Sequence, residues 1–570
     1  MIRVFHTSGD GSGWAIDEDL RQIRESLRGI VRETSLTNAQ IVHAPFWMAL
    51  AMHPPEVLAG RYVIAHADNP PYFYLKQPEF VRAQNQVDLW VARSREAEEQ
   101  FQTLGLSVIH IPYTIDPELF FPLVTTRDEK QKLRRELGLP ESSYVIANFH
   151  RDSEGSDLTQ PKLQKAPELM MMILRRLKAQ GCDFHVLLAG PRRHWIRGQL
   201  DAEGIRYTFV GKEGISGDDF GLNILTRPRL NELYNAADLY LVPSRWEGGP
   251  QSVMEAAACR CKILSTPLGL ARDILDPASQ FRTASEGAAI LARDIAESHL
   301  SVTVEPQFTR WKNHHTTPVL ADGLRRLYGR LPSEPVFLAK SVQPRRGIST
   351  RMQRVRHTLS RRFFPHHPPR TVSVCHTDGK DAILDGIIDQ LRKSLERSGV
   401  VIADAKVPAV ESGVPILRGW TASDPESTRV IQFVSPTLVD PIPVGSTVVA
   451  PSVQDVLNLR QRSCHHPAVV IPLVFDPDDS THEPLVVAEG DFQASVRIWQ
   501  ALLAGRAVLY PERSAYYEQV FHAGLPYANS VELARRRELL KRDAVEIQAL
   551  ARPPERSLVD LALQNLLLEW

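Results

Sequence analysis

Two glutamates, Glu247 and Glu255, stand in the stretch Val242-Pro243-Ser244-Arg245-Trp246-Glu247-Gly248-Gly249-Pro250-Gln251-Ser252-Val253-Met254-Glu255-Ala256. The apolar run 239–243 reads as a strand and the residues from 251 onward as a helix, so the two acids flank a strand–loop–helix corner. Carboxylate oxygens accept hydrogen bonds from sugar or ribose hydroxyls, and two of them so placed can address different parts of one ligand. Gly248 and Gly249 let the backbone turn sharply and come close to that ligand. The unpaired N–H groups at the start of the helix favour an anionic group such as a phosphate. A glycine-rich turn carrying an acid that suits the helix dipole would show the same residues, and the stretch alone leaves both readings open.

The elements that must position these residues follow from hydrophobic patterning. Over residues 1–330 short apolar runs alternate with amphipathic stretches. Runs at 2–6, 41–44, 62–66, 89–92 and 108–112 read as buried strands, with helices at 17–27 and 95–104 among them. The rhythm pauses near 121–128 and restarts with helix 130–137, strand 144–149, helix 166–180 and strand 184–189. It continues with helix 230–237, strand 239–243, helix 251–259 and strand 263–266. This predicts an α/β chain with two Rossmann-like doubly wound domains hinged near residue 122. Ligands of such sheets sit at the carboxyl ends of strands. Arg151 follows one strand, Lys165 precedes a helix, His66 ends another strand, and Gly9-Asp10-Gly11-Ser12-Gly13 follows the first. Taken singly, each has a plain alternative: a solvated charge, a core or capping histidine, an ordinary turn.

The chain has 570 residues, 43% of them hydrophobic and 24% charged, which excludes a disordered or fibrous chain and calls for more than one core. Lys plus Arg and Asp plus Glu are 67 each, so net charge draws the molecule toward neither nucleic acid nor membrane. Five cysteines without CxxC pairing favour a reducing compartment over a disulfide framework or zinc site. With no signal-like start and no long apolar run, the expected location is cytoplasmic.

The spacing Glu247-x7-Glu255, preceded by Leu233-Tyr234-Asn235-Ala236-Ala237-Asp238 and the strand end Pro243-Ser244, resembles glycosyltransferase group 1, also called family 4. Leu133-Arg134-Arg135-Glu136-Leu137-Gly138-Leu139-Pro140 resembles the opening helix of that family's donor domain, and Trp311 with the helix through Tyr328 resembles its closing helix. The resemblance spans residues 1–330. It implies the GT-B architecture: an acceptor-side domain, 1–122, closed by helix 308–330, and a donor-binding domain, 123–307. It implies a retaining, metal-independent transferase that takes a nucleotide diphosphate sugar as co-substrate and needs no cofactor. Arg151 and Lys165 resemble the pair that offsets the donor diphosphate charge, and Glu255 the carboxylate on the ribose hydroxyls. Glu247 resembles the one facing the donor sugar, with Gly248 and Gly249 presenting backbone N–H groups. Gly11 and Gly13 resemble the glycine loop near the phosphates, and His66 the first domain's active-site histidine. Tyr113-Thr114 replaces the family's frequent Asn-Gly, and Arg260 and Lys262 stand where Gly and Pro are usual.

Residues 371–570 echo the first domain, which marks an internal repeat. Val374-Cys375-His376-Thr377-Asp378-Gly379 parallels Val4-Phe5-His6-Thr7-Ser8-Gly9, and Ile471-Pro472-Leu473-Val474-Phe475-Asp476-Pro477 parallels Ile111-Pro112-Tyr113-Thr114-Ile115-Asp116-Pro117. This copy lacks the glycine loop, has Phe433 at the position of His66 and Trp499 at that of Glu255, and is expected to be a degenerate, non-catalytic Rossmann-like unit for acceptor binding, dimer contact or docking. Between the halves, residues 331–370 form a linker whose portion 340–370 holds nine Lys or Arg and no acid. Ile348, Met352, Val355, Leu359 and Phe363 recur there at helical spacing. Such a basic amphipathic helix suits either an anionic membrane surface, peripheral at the inner face, or packing on a neighbouring domain. The expected partners are a nucleotide sugar donor and a glycan or lipid-linked glycan acceptor in bacterial-type surface glycan assembly, with a homo-oligomer allowed and no nucleic acid. The alternatives are a non-catalytic binding scaffold of degenerate GT-B units, or a GT-B epimerase or phosphorylase; neither of the last two finds its acid/base pair or phosphate site here.

Overall fold

The computed structural model describes residues 1–9, 15–75, 77, 79–153, 157–215 and 217–342, with nine strands between Thr371 and Tyr527 and residues 533 and 536 beyond them. The loop carrying Gly11 and Gly13, and the basic segment from 343 to 370, lie outside the described residues.

The first sheet is wholly parallel: β1 (Ile2–His6), β2 (Val31–Glu33), β3 (Ile41–Ala44), β4 (Tyr62–Ala67), β5 (Leu89–Ala92) and β6 (Val108–His110), in the order β2-β1-β3-β4-β5-β6. α1 (Ala15–Ser26), α2 (Pro55–Ala59), α3 (Pro71–Tyr74), α4 (Glu79–Gln86) and α5 (Arg95–Thr103) connect its strands. β3 and β4 are buried at every residue, as a parallel strand covered on both faces must be. One face packs Trp47, Tyr74, Phe80, Trp90 and Phe101 into an aromatic core. The other lays Val4, Ile41, Ile64 and Val91 under the closing helices.

The second sheet holds β7 (Tyr144–Asn148), β8 (Phe184–Ala189), β9 (Tyr207–Val210), β10 (Leu239–Val242) and β11 (Lys262–Ser265), also parallel, in the order β11-β10-β7-β8-β9. Its helices are α6 (Arg127–Glu136), α7 (Pro167–Ala179), α8 (His194–Glu203), α9 (Arg227–Ala236), α10 (Gln251–Ala258), α11 (Leu270–Ile274) and α12 (Ala284–Glu297). Thr126 with Glu129, and Thr283 with Glu286, form capping boxes that start α6 and α12 by satisfying backbone donors reciprocally. Strand order reverses between β1 and β3 in one sheet and between β7 and β10 in the other. These switch points open crevices at the strands' carboxyl ends.

The closing element expected at 308–330 is two helices, α13 (Val304–His314) and α14 (Thr317–Arg330), followed by α15 (Pro335–Val342). Trp311, on α13, packs in the core of the second domain. α14 crosses back and buries Leu320, Leu324, Leu327 and Tyr328 against the first sheet. Lys340, counted with the basic segment, instead bonds Asp88 through Nζ at 2.7 and 2.8 Å, so its charge is held by the first domain.

In the C-terminal part, β12 (Thr371–Val374), β13 (Val401–Asp404), β14 (Ile416–Thr421), β15 (Asp424–Phe433), β16 (Thr447–Ala450) and β17 (Ala468–Val470) lie in the order β13-β12-β14-β15-β16-β17. Taken rank by rank, this is the order of the first sheet. β14 differs in running antiparallel to both neighbours. β18 (Leu485–Val487), β19 (Ala507–Pro511) and β20 (Leu525–Tyr527) make a separate parallel sheet.

Candidate active site

The loop after β10 and the start of α10 carry Glu247 and Glu255 at the second sheet's switch point. Glu247 is 8% exposed. Its Oε1 accepts from Ser244 Oγ at 2.9 Å and forms a short ion pair with Lys165, which lies just before α7. The helix turn that presents Lys165 is sharp: Ala166 has φ +45° and Pro167 then fixes the first helical residue. Glu255 is also buried. Arg227 Nη1 approaches one of its oxygens at 3.1 Å and Tyr234 O–H donates to the other at 2.8 Å. Burial raises its pKa, against the pull of Arg227 and the Tyr234 bond. A carboxylate has about four acceptor positions, so two remain for a ligand.

Arg151 lies beyond the end of β7, its guanidinium 5.6 Å from the centre of the Phe220 ring, which Arg192 covers at 4.9 Å. His150, which the sequence reading did not single out, sits at the centre of the group. It bonds Ser252 Oγ at 2.9 Å and approaches Ser244 Oγ at 3.5 Å. Burial lowers its pKa well below the ordinary value, and the charges of Lys165, Arg193 and Arg151 lower it further. His150 is therefore a neutral hydrogen-bonding hub among three cations. Its signal in the sequence was its place between a predicted strand end and Arg151.

Gly248 and Gly249 are pressed against the first domain. A Cβ on Gly248 would run into the Asp68 carbonyl, and one on Gly249 into the Tyr113 ring. The Tyr113 position, where the resembled family often has a smaller pair, thus fills space that Gly249 leaves. Phe73 stacks on Trp246 at 5.9 Å, and Gly269 N donates to Glu96 at 2.8 Å across the same boundary. The two domains meet along this loop.

Across it, His66 is 1% exposed at the end of β4, two residues from Asp68. Its Nε2 is 2.8 Å from His43 Nε2, and His43 Nδ1 is 2.9 Å from Tyr328 OH. Asp19 Oδ2 is 3.8 Å from His66 Nδ1, and Asp19 also pairs closely with buried Arg93, which stacks on Tyr113 at 4.4 Å. His66 and the Glu247 loop thus face one boundary from opposite domains, with Lys165 on the Glu247 side. Arg260, at a site where glycine is usual, has φ +56° at the end of α10 and pairs with Glu305, away from the loop. Among the described residues no group of three or more His, Cys, Asp or Glu side chains is placed to hold a metal ion, and no helix is long and apolar enough to cross a membrane.

The model of the family "Glycosyl transferases group 1" matches residues 158–298, which include Lys165, Glu247 and Glu255. Alpha-galactosylglucosyldiacylglycerol synthase of Streptococcus pneumoniae is 26% identical over 171 residues, covering 30% of this chain and 40% of that protein. The chain thus matches less than half the length of this curated relative. Sucrose-phosphate synthase from Thermosynechococcus elongatus overlaps 58% of this chain and all of its own, at 15% identity and a TM-score of 0.45. Anabaena HepE, solved in complex with UDP-glucose, overlaps 58% of this chain at 14% identity and a TM-score of 0.46, again over its full length. Over the segment that bears Lys165, Glu247 and Glu255, the chain resembles the group 1 glycosyltransferases.

Proposed function

We propose that the chain is a retaining glycosyltransferase that moves a sugar from a nucleotide diphosphate sugar to an acceptor hydroxyl. The observation that carries this reading is the meeting of Lys165 and Ser244 on Glu247 at the second sheet's switch point, within the matched segment. Glu255 takes the donor ribose hydroxyls. Glu247, with the N–H groups of Gly248 and Gly249, takes the donor sugar, and Gly11 and Gly13 line the phosphates from the first domain. Arg151 and Lys165 hold the diphosphate. A diphosphate that draws Lys165 to itself releases the Glu247 carboxylate for the sugar.

The acceptor oxygen attacks the anomeric carbon on the face from which the phosphate leaves. The bond to the phosphate oxygen breaks, the new glycosidic bond forms, and the acceptor proton passes to the departing phosphate. Orientation and charge stabilisation supply the rate, with His66 completing the site from the acceptor side. Arg151 and Lys165 neutralise the leaving group without a metal ion.

Residues 371–570 we read as a degenerate copy of the first domain that performs no transfer. The rank-by-rank strand order and the sequence echoes support this, as does Phe433 at the His66 position. The basic segment suits a membrane surface, and a lipid-linked glycan would then be the acceptor, in keeping with a relative named for a diacylglycerol glycolipid. Co-sedimentation with anionic vesicles at rising salt tests that part; absence from the vesicles even at low salt contradicts it.

The test of the main reading is a screen of UDP-, GDP- and ADP-sugars for slow sugar release, with the released anomer read by NMR. Release from one donor class with the anomer retained, lost in Glu255→Ala, is expected. No release from any donor favours the scaffold reading, and inversion contradicts the retaining mechanism.

A further inference from the structure

We infer that Tyr328 and His43 are positioning residues that fix the tautomer of His66, so that it offers an Nδ1–H donor to the boundary between the domains. The inference rests on the proposed place of His66 in the reaction.

The argument begins with strand register. His6, His43 and His66 sit near the carboxyl ends of β1, β3 and β4. Each follows by two residues an apolar residue on the same face: Val4, Ile41 and Ile64. His6 pairs in register with His43, and His43 with Ile64, so His66 lies diagonally beyond His43. α14 covers this face, and its Tyr328 reaches the row from a helix that follows the second domain in sequence.

His43, His66 and Tyr328 are all at most 2% exposed, and burial keeps both imidazoles neutral and the phenol protonated. Each ring therefore carries one N–H, and the bond between the two Nε2 atoms uses one of them. There are two arrangements. If His66 donates to His43, then His43 Nδ1–H must donate to Tyr328, and the phenol hydrogen has no acceptor among the described residues. If Tyr328 donates to His43 Nδ1, then His43 Nε2–H donates to His66, and the one hydrogen left over is that on His66 Nδ1. Each arrangement leaves one buried hydrogen unbonded, but only on Nδ1 does that hydrogen face a carboxylate, Asp19, whose negative charge favours an N–H there over a lone pair, so the second arrangement holds. It places the His66 proton on Nδ1, which has no hydrogen-bond partner in the structure and stands 3.8 Å from Asp19 Oδ2. His66 then meets the substrate as a donor, suited to a sugar hydroxyl or a phosphate oxygen, and not as a base. A residue of the closing helix thereby sets the chemistry of one on β4.

Imidazole NMR of the [15N]His-labelled chain, with His66 assigned by difference from His66→Gln, reads the tautomer without reference to activity. The expected result is an Nδ1–H tautomer for His66 that is lost or mixed in Tyr328→Phe and in His43→Ala. Sugar transfer should fall at least ~10-fold in kcat in both variants, with the donor KM little changed, as for a lost orientation. An Nε2–H tautomer in the unaltered chain overturns the inference, as does a tautomer unmoved by either substitution. A tautomer that shifts while transfer stays the same upholds the relay and overturns the place of His66 in the reaction.

Discussion

Lys165 and Glu247 neutralise one another, and this pairing makes their roles separable. Lys165→Met leaves Glu247 bonded to Ser244 but removes the charge proposed to face the leaving phosphate. Turnover should fall by about 10²-fold or more, the range seen when one preorganised electrostatic donor is lost. Steady-state kinetics with the best donor checks it, and a loss confined to KM would place Lys165 in ground-state binding alone. At this scale the sequence disclosed residues whose spacing is local. Glu247, Glu255 and the two glycines share one loop and helix, and Lys165 borders a helix start. It did not disclose His150, His43 or Tyr234, because their partners are distant in sequence: His43 meets Tyr328 across 285 positions. Strand-end histidines at His6, His43 and His66 were the visible trace of that row, and only the register joins them.

The loop after β10 is an element whose glycines are required by close approach and not by turn geometry. Gly248→Ala drives a Cβ into the Asp68 carbonyl and must part the domains locally. Misplacement of this kind costs about 10²-fold in rate, so kcat/KM should fall by that order while the melting temperature changes little. Near-normal activity would show that the contact does not serve the reaction. The closing helix makes a different claim. Leu324 is fully buried between α14 and the first sheet, and Leu324→Ala should cost roughly 2–5 kcal/mol in chemical denaturation. Periodicity predicted most strands to within a residue or two, because buried parallel strands read as short apolar runs. It missed β2 and β9, none of whose residues is fully buried, and read α13 and α14 as one helix although Thr316-Thr317-Pro318 marks a new start. Trp311 was assigned to the first domain and belongs to the core of the second, a choice that a helix's own sequence does not reveal.

For the whole molecule, neutral buried histidines set an acid limit. Burial holds His43, His66 and His150 well below their ordinary 6.5, and pushes His110, His185 and His315 down to about 3, 4 and 4. Below 6.5 the unfolded chain binds more protons at these sites than the native one, so stability falls as pH falls, approaching ~1.4 kcal/mol per pH unit for each. Asp152 and Asp273, raised by burial to about 6, bind protons more readily in the native state and oppose this trend, as do the raised Asp19 and Glu255. The six histidines outnumber these carboxyls, so between about 7 and 6 they set the sign. Calorimetric melting should therefore give a Tm that declines as pH is lowered from about 7 to about 6, and a flat or rising Tm contradicts the neutral row on which the His66 relay depends.

Two of the sheets share one strand order, and the proposed function gives the molecule a single working donor site. Calorimetric titration of UDP, GDP and ADP into the intact chain and into Glu255→Gln tests that claim most directly. The account predicts that one nucleotide class binds, at one site per chain, and that binding weakens at least ~10-fold when the carboxylate loses its charge. Binding of none of the three, two equivalent sites per chain, or an affinity indifferent to Glu255 would contradict it.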